Sequence, residues 1–371
     1  MLTKCVLFYC VPHYISHVSS FFKMCDCDVM RKCFGFESKC FISFTMQADP
    51  SPAILRSDFA CYAVKFSPFD PFLIAVSTSQ YYGIVGNGRQ LICRITPGTG
   101  QLQIVRSFDT QDGLYDCAWN EMNQNQLVSG DGGGGIKLWD MNTQDSFPIA
   151  MWKEHQTEVS SVDWNLQTKD CFLSASWDNT IKLWTPMSQQ SIRTFTAHTY
   201  CVYQALWSPR KANVFVSASG DHSVRIWDTN APNPAMVLAP AHDGEVLSVD
   251  WNKYNENVIA TAGVDRTIRL WDLRNQRAPY LTLPGHSFAV RRVKWSPHRA
   301  DMLASVSYDM TCCLWSTTSP QPLVKRFEHH SEFAVGLDFN LFVPGQLATG
   351  SWDGHCAVWS LTGQRKSFCF Y

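Results

Sequence analysis

The sequence predicts an all-β protein assembled from seven repeated units, on three observations. Trp139, Trp184, Trp227, Trp271, Trp315 and Trp359 recur at intervals of 43 to 45 residues, and self-similarity at such a period marks a repeat architecture. A second aromatic series runs ahead of the first: Phe66, Trp119, Trp164, Trp207, Trp251, Trp295 and Phe339, which counts seven units with a longer opening interval of 53 residues. Within a unit the stretches Val159 to Trp164, Phe172 to Ser176 and Thr180 to Trp184 have strand composition and length, with Asn, Pro and Gly punctuating between units.

Each unit holds several short strands and three close on Trp-Asp, at Trp139-Asp140, Trp227-Asp228 and Trp271-Asp272. This pattern resembles the WD-repeat family, and the resemblance, which runs from residue 53 to residue 360, implies a seven-bladed WD-repeat β-propeller. The polar residues repeat as well. His155, His198, His242, His286 and His330 lie nine residues before the second-series aromatic, Asp178, Asp221, Asp265, Asp309 and Asp353 six before the closing Trp, and Ser174, Ser217, Thr261, Ser305 and Thr349 four before those Asp residues. One Ser, His and Asp set would suggest nucleophilic catalysis, but a catalytic triad is needed once and is recognised by unique geometry. Five copies, together with Trp184, Trp227, Trp271, Trp315 and Trp359, are what the WD resemblance implies as structural hydrogen-bond tetrads. In the first two units the His position falls on Ser57 and Thr110, so those blades are expected to rely more on packing.

Composition narrows the function. The 371 residues are 45% hydrophobic, enough for a large core, and the formal net charge of -1 gives no electrostatic footprint for nucleic acid. The densest basic spot, Arg291-Arg292 with Lys294, reads as a solvated strand or a protein contact. No apolar run reaches the roughly 18 residues of a membrane-spanning helix, so membrane insertion is not expected. Fifteen scattered Cys read as reduced thiols, and neither Cys25 with Cys27, Cys312 with Cys313, nor His329-His330 has zinc-site spacing. Gly130 to Gly135 matches a dinucleotide fingerprint, yet a strand rather than a helix follows it, so it reads as a blade turn. No cofactor and no metal are expected. The repeat reveals no unique polar cluster for the central channel, and the protein is read as not an enzyme.

The expected domain division is 1–52, an unstructured or misassigned Cys-rich extension, and 53–371, the propeller. The extension lacks any repeat and carries six Cys before Met46; its first eleven residues mimic a secretory leader, but Pro12 and His13 cut the apolar stretch short. Because an open propeller exposes strand edges, Ile54 to Phe59 is expected to close the last blade beside Ala357-Val358-Trp359.

The first-unit insertion is more specific than the repeat. Tyr62-Ala63-Val64-Lys65-Phe66-Ser67-Pro68 followed by Gly83-Ile84-Val85-Gly86-Asn87-Gly88-Arg89, with phrases such as Asp112-Gly113-Leu114-Tyr115-Asp116, Tyr200 to Ala205, Trp251 to Asn255 and His329 to Phe333, resembles the peroxisomal targeting signal 2 receptor family. That resemblance implies a cytoplasmic receptor, cycling to the peroxisomal membrane and matrix. It would bind an N-terminal signal, Arg-Leu, five variable residues, His or Gln, then Leu, on matrix proteins, and would work with an import co-receptor and membrane docking proteins. Positions 1, 2, 5, 8 and 9 of such a signal share one helix face, which calls for an apolar strip flanked by carboxylates. In WD propellers the ligand-binding top face is fed by residues just before each tetrad Asp and just after each tetrad His. The candidate peptide-binding set is therefore Asp58, Asp112, Glu158, Trp177, Asp243, Glu245, Val264, Tyr308, Glu332, Phe333 and Trp352. The competing reading is a generic WD scaffold or adaptor that offers the same face to another peptide.

Overall fold

The structure is a computed structural model that describes residues 52–96 and 101–360. The expectations for the Cys-rich extension, its Cys residues and its start lie outside the described residues, apart from Pro52. The described chain forms seven four-stranded antiparallel sheets. It is a seven-bladed WD-repeat β-propeller. The innermost strands are Ala60–Phe66, Leu114–Trp119, Val159–Trp164, Val202–Trp207, Val246–Trp251, Val290–Trp295 and Ala334–Phe339, which define blades one to seven.

Blade seven is completed by the strand Ala53–Arg56, which pairs with His355–Ser360 in the register Ala53 with Val358 and Arg56 with His355. The closing strand thus sits earlier than the expected 54 to 59, because Ser57 already leaves the sheet, its N–H donating to the Gly354 carbonyl at 2.8 Å. The sheets stack through apolar faces. Leu206, Val216 and Val224 of blade four pack with Val246, Val249 and Trp251 of blade five, all buried, and the same arrangement recurs between other neighbours. Burying a side chain of this class is worth roughly 1.5–3 kcal/mol, so the ring is held chiefly by contacts between blades.

Within blades three to seven the repeated polar residues form one chain of hydrogen bonds each. In blade three the Trp184 indole N–H donates to Ser174 Oγ (2.7 Å), Ser174 Oγ meets His155 Nε2 (2.7 Å), and His155 Nδ1 meets Asp178 (2.8 Å). Blade four repeats it with Trp227, Ser217, His198 and Asp221 at 2.8, 2.6 and 2.8 Å. Blades five, six and seven do so through Trp271, Thr261, His242 and Asp265, through Trp315, Ser305, His286 and Asp309, and through Trp359, Thr349, His330 and Asp353. A carboxylate only accepts, so each His carries a proton on Nδ1, and each hydroxyl accepts from the indole N–H. These hydroxyls are fully buried; a nucleophile that no substrate reaches is a structural link. Blade two keeps only the Trp139 to Ser129 bond (2.8 Å), and its Asp131 is paired with Lys137 instead of a His. Blade one replaces the set with Ser77 donating to Gln90 at 2.9 Å.

Two outcomes are expected. A chain beginning at Ser57 loses the closing strand and should fall in soluble yield and melting temperature, whereas one beginning at Met46 should match the full chain; equal behaviour of the two would refute edge closure. Burial alone raises the Asp221 carboxyl, but the His198 hydrogen bond and charge, with Ser223 and the Thr199 N–H, outweigh it and hold it well below the ordinary carboxylate range. A depressed carboxyl contributes stability above its unfolded value, near 4, and loses it as pH falls through the folded value. Asp221→Asn should therefore cost about 1–3 kcal/mol at neutral pH, with the deficit shrinking in urea titrations below about pH 4.

Candidate functional site

All seven innermost strands carry a β-bulge at the same place. The ladder slips between Cys61 and Ala63, Leu114 and Asp116, Val159 and Ser161, Val202 and Gln204, Val246 and Ser248, Val290 and Arg292, and Ala334 and Gly336. A bulge frees one residue from pairing and re-aims its side chain. The seven freed residues are Tyr62, Tyr115, Ser160, Tyr203, Leu247, Arg291 and Val335, and together they line one mouth of the central channel, a cavity of about 430 Å³. Each lies four residues before the second-series aromatic, so the ring was legible in the repeat; the sequence reading missed it by counting only from the tetrads.

Loop residues complete the walls. Trp177, Tyr308 and Trp352 join the lining with Glu158, Tyr82, Gly83 and Ile84. The rings touch from blade to blade: Tyr203 to Trp177 at 6.3 Å, Trp177 to Tyr115 at 6.4 Å, Tyr115 to Tyr62 at 5.0 Å, Tyr62 to Trp352 at 5.5 Å, and Trp352 to Tyr308 at 6.5 Å. Phe333 backs this collar, its ring tilted against Tyr308 at 4.8 Å and Trp352 at 5.1 Å. The collar is interrupted where Leu247 and Arg291 stand.

Of the candidate set, the structure brings Glu158, Trp177, Tyr308 and Trp352 into the cavity wall, with Phe333 and Glu245 directly behind it. Glu245 accepts from the Tyr203 hydroxyl at 2.7 Å. Asp243 is turned to Arg269 at 2.6 Å, and Asp58 and Val264 are exposed outside the cavity. Asp112 and Glu332 do not line it either, though the Asp112 charge reaches Tyr115. Burial, reinforced by Glu158 and Asp112, pushes the Tyr115 phenol up to about 12. Burial and the bond to Glu245 likewise raise Tyr203, and burial lowers the Arg291 guanidinium.

The first-blade insertion forms part of the mouth. Tyr81 and Tyr82 adopt left-handed backbone (φ 47 and 55) and Gly83 follows at φ 75, where an added Cβ would meet the Tyr62 hydroxyl at 2.7 Å. Two buried-edge phenols pin it, Tyr62 donating to the Tyr82 carbonyl (2.5 Å) and Tyr115 to the Gly83 carbonyl (2.6 Å). Ile84 and Val85 stand exposed at its tip.

Below the mouth the channel is charged, a correction to the expectation that it held no polar cluster. Asp116 is buried between Arg292 (3.3 Å) and Lys65 (3.7 Å), which overcome the effect of its burial and lower its carboxyl. Arg291 and Arg292 are therefore not on a solvated strand: one enters the cavity and the other is buried. At the opposite mouth, a cavity of about 180 Å³ is ringed by Lys65, Asp163, Asp250, Lys294 and Asp338, one residue before the aromatics. Asp163, Asp250 and Asp338 accept backbone N–H groups of Trp207 (2.8 Å), Trp295 (2.7 Å) and Phe66 (2.9 Å) in the next blade. These carboxylates staple blades together. Among the described residues no group of three or more His, Cys, Asp or Glu is arranged to hold a metal, and no helix is long and apolar enough to cross a membrane.

With this geometry in view, the comparisons with known proteins are specific. The family described as WD domain, G-beta repeat matches residues 146–185 and 321–360, and the EIPR1 beta-propeller family matches residues 187–315. The chain is 48% identical over 137 residues to the peroxisomal targeting signal 2 receptor of Dictyostelium discoideum, covering 37% of this chain and 43% of that protein. It is 47% identical over 150 residues to the Homo sapiens receptor of that name (40% and 45% covered) and 45% over 138 residues to the Saccharomyces cerevisiae one (37% and 36%). The chain is similar to the peroxisomal targeting signal 2 receptors. The matches span less than half the length of each of these relatives. They are named as receptors and not as enzymes, in line with the buried state of the Ser, His and Asp sets.

Removing both pins, Tyr62→Phe with Tyr115→Phe, should leave the propeller folded while the insertion from Gln80 to Asn87 exchanges amide hydrogens faster and becomes cleavable by added protease. Unchanged protection of that segment would show that its own backbone, and not the phenols, holds it.

Proposed function

We propose that the chain is an import receptor for the type-2 peroxisomal targeting signal, binding the Arg-Leu-x5-His/Gln-Leu segment as a helix across the aromatic mouth. It would deliver matrix proteins to the peroxisomal membrane together with a co-receptor and docking proteins, cycling from the cytoplasm. The observation that carries the reading is the mouth itself, a collar of Tyr and Trp rings whose wall holds a carboxylate, Glu158, without an ion pair among the described residues. The collar suits the Leu side chains of one helix face, and aromatic side chains are efficient anchors because they offer large area at little entropic cost. Glu158 suits the cation at position 1. The names of the similar receptors and the first-blade insertion support the same ligand.

A charge-assisted hydrogen bond from the signal's Arg to Glu158 is worth about 1.5–3 kcal/mol, and each buried Leu adds roughly 1.5–3 kcal/mol. After association costs this amounts to micromolar binding, so a second protein closing over the exposed helix face is physically useful. In fluorescence anisotropy, Glu158→Lys should weaken a labelled signal nonapeptide about tenfold or more, and a peptide with Glu in place of the Arg should recover part of the loss on that variant. If the native chain binds no signal peptide with or without a co-receptor, the molecule is a propeller scaffold for a different partner.

A further inference from the structure

The second mouth of the channel holds unbalanced charge under an apolar rim. Its cavity of about 180 Å³ is edged by Pro68, Leu166, Pro209, Pro297 and Leu341, of which Leu166 and Leu341 are half exposed. Glu121 joins Lys65, Asp163, Asp250, Lys294 and Asp338 in the lining. Lys65 is drawn to Asp116 at 3.7 Å, and Asp250 is met by Lys253 at 2.8 Å. Three carboxylates, Glu121, Asp163 and Asp338, then face one ammonium, Lys294, and none of the four has an ion pair among the described residues. Burial keeps the Asp163 carboxyl up at about 6 although Lys65, Lys294 and the Trp207 N–H all pull it down. Burial also raises Glu121, the Asp163 charge adding to it against the pull of Lys169. Carboxylates in that state lack a cation.

A second shortage lies beside the first. Of the tryptophans that end the innermost strands, Trp119, Trp164 and Trp251 donate their indole N–H to the carbonyls of Lys65 (3.1 Å), Lys169 (2.7 Å) and Leu206 (3.4 Å). Trp207 and Trp295, both in the cavity lining and only 4% and 2% exposed, donate to nothing among the described residues, although buried donors are almost always paired. An occupant that satisfies this mouth brings a cation and a hydrogen-bond acceptor together. A bare metal ion supplies no acceptor, and among the described residues no three acidic groups are arranged to ligate one.

We propose that the second mouth is a docking site for a loop of a partner protein in which a lysine stands between apolar residues, its ammonium entering among Glu121, Asp163 and Asp338. A lysine stem is apolar along its length and charged at its tip, which matches a rim of Leu and Pro over a floor of carboxylates, and the cavity volume admits one long side chain. The peptide carbonyls beside the lysine are acceptors for the Trp207 and Trp295 indoles, and its apolar neighbours cover Leu166 and Leu341. The site lies at the opposite end of the channel from the aromatic mouth and does not depend on the receptor reading.

The test titrates the full chain, labelled with nitrogen-15, with the capped peptide Gly-Leu-Lys-Leu-Gly and with its norleucine counterpart. Indole resonances are assigned with Trp177→Phe and Trp207→Phe; Phe66 and Phe339 hold the place of Trp207 in blades one and seven, so phenylalanine fits there. The lysine peptide should shift the Trp207 and Trp295 indoles and leave Trp177 and Trp352 unmoved, and norleucine in place of Lys should weaken binding about fivefold or more. Glu121→Gln, with an unchanged melting temperature, should weaken the lysine peptide about threefold or more, and Glu121→Lys should prefer a peptide with Glu at the central position. Shifts confined to Trp177 and Trp352, equal affinity for the lysine and norleucine peptides, or Glu121 variants that bind like the native chain overturn the proposal. So does the absence of any shift at millimolar peptide.

Discussion

The order of this molecule is anchored by a short relay of hydrogen bonds that starts at a buried tryptophan. In each of blades three to seven the indole N–H fixes a hydroxyl, the hydroxyl fixes an imidazole, and the imidazole fixes a carboxylate. That carboxylate then holds the N–H of the residue after the His, as Asp178 does for Gln156 at 3.1 Å. The relay therefore sets the loop that enters the innermost strand, a few residues before the bulge. Where the bulge stands decides which side chain enters the channel mouth.

Seven repetitions of one bulge convert a uniform backbone into a ring of unlike side chains. The backbone costs are the same in every blade, while Tyr62, Tyr115, Tyr203, Leu247 and Arg291 differ freely because the bulge residue has no cross-strand neighbour to satisfy. The side chains that line the mouth stand at positions whose identity the ladder does not constrain. The layers below are constrained in the opposite sense: Asp116, Asp163, Asp250 and Asp338 each accept a backbone N–H from an adjoining blade, so changing them threatens the ring itself.

This separation accounts for how a charged channel coexists with the proposed receptor function. Within it Asp116 is compensated by Arg292 and Lys65, and Asp250 by Lys253 at 2.8 Å. At the wide mouth, Glu158 and Arg291 stand without ion pairs among the described residues.

Periodicity determined the seven repeats, and the resemblance to WD repeats implied the blades, their tetrads and the edge-closing strand: Trp139 through Trp359 mark closing strands and the His, Ser or Thr and Asp offsets recur without exception in five blades. Trp177, Tyr308 and Trp352 were legible in the repeat as residues of one channel mouth. Tertiary structure decided the rest. Only the closed ring brings Tyr203 to Glu245, separates Asp243 and Asp58 from the mouth, and turns Arg291 into the cavity while Arg292 is buried against Asp116, 176 residues distant in sequence. Offsets along a strand specify which face a residue occupies; which partners meet across a channel depends on seven blades closing at once, and that information is held in no single repeat.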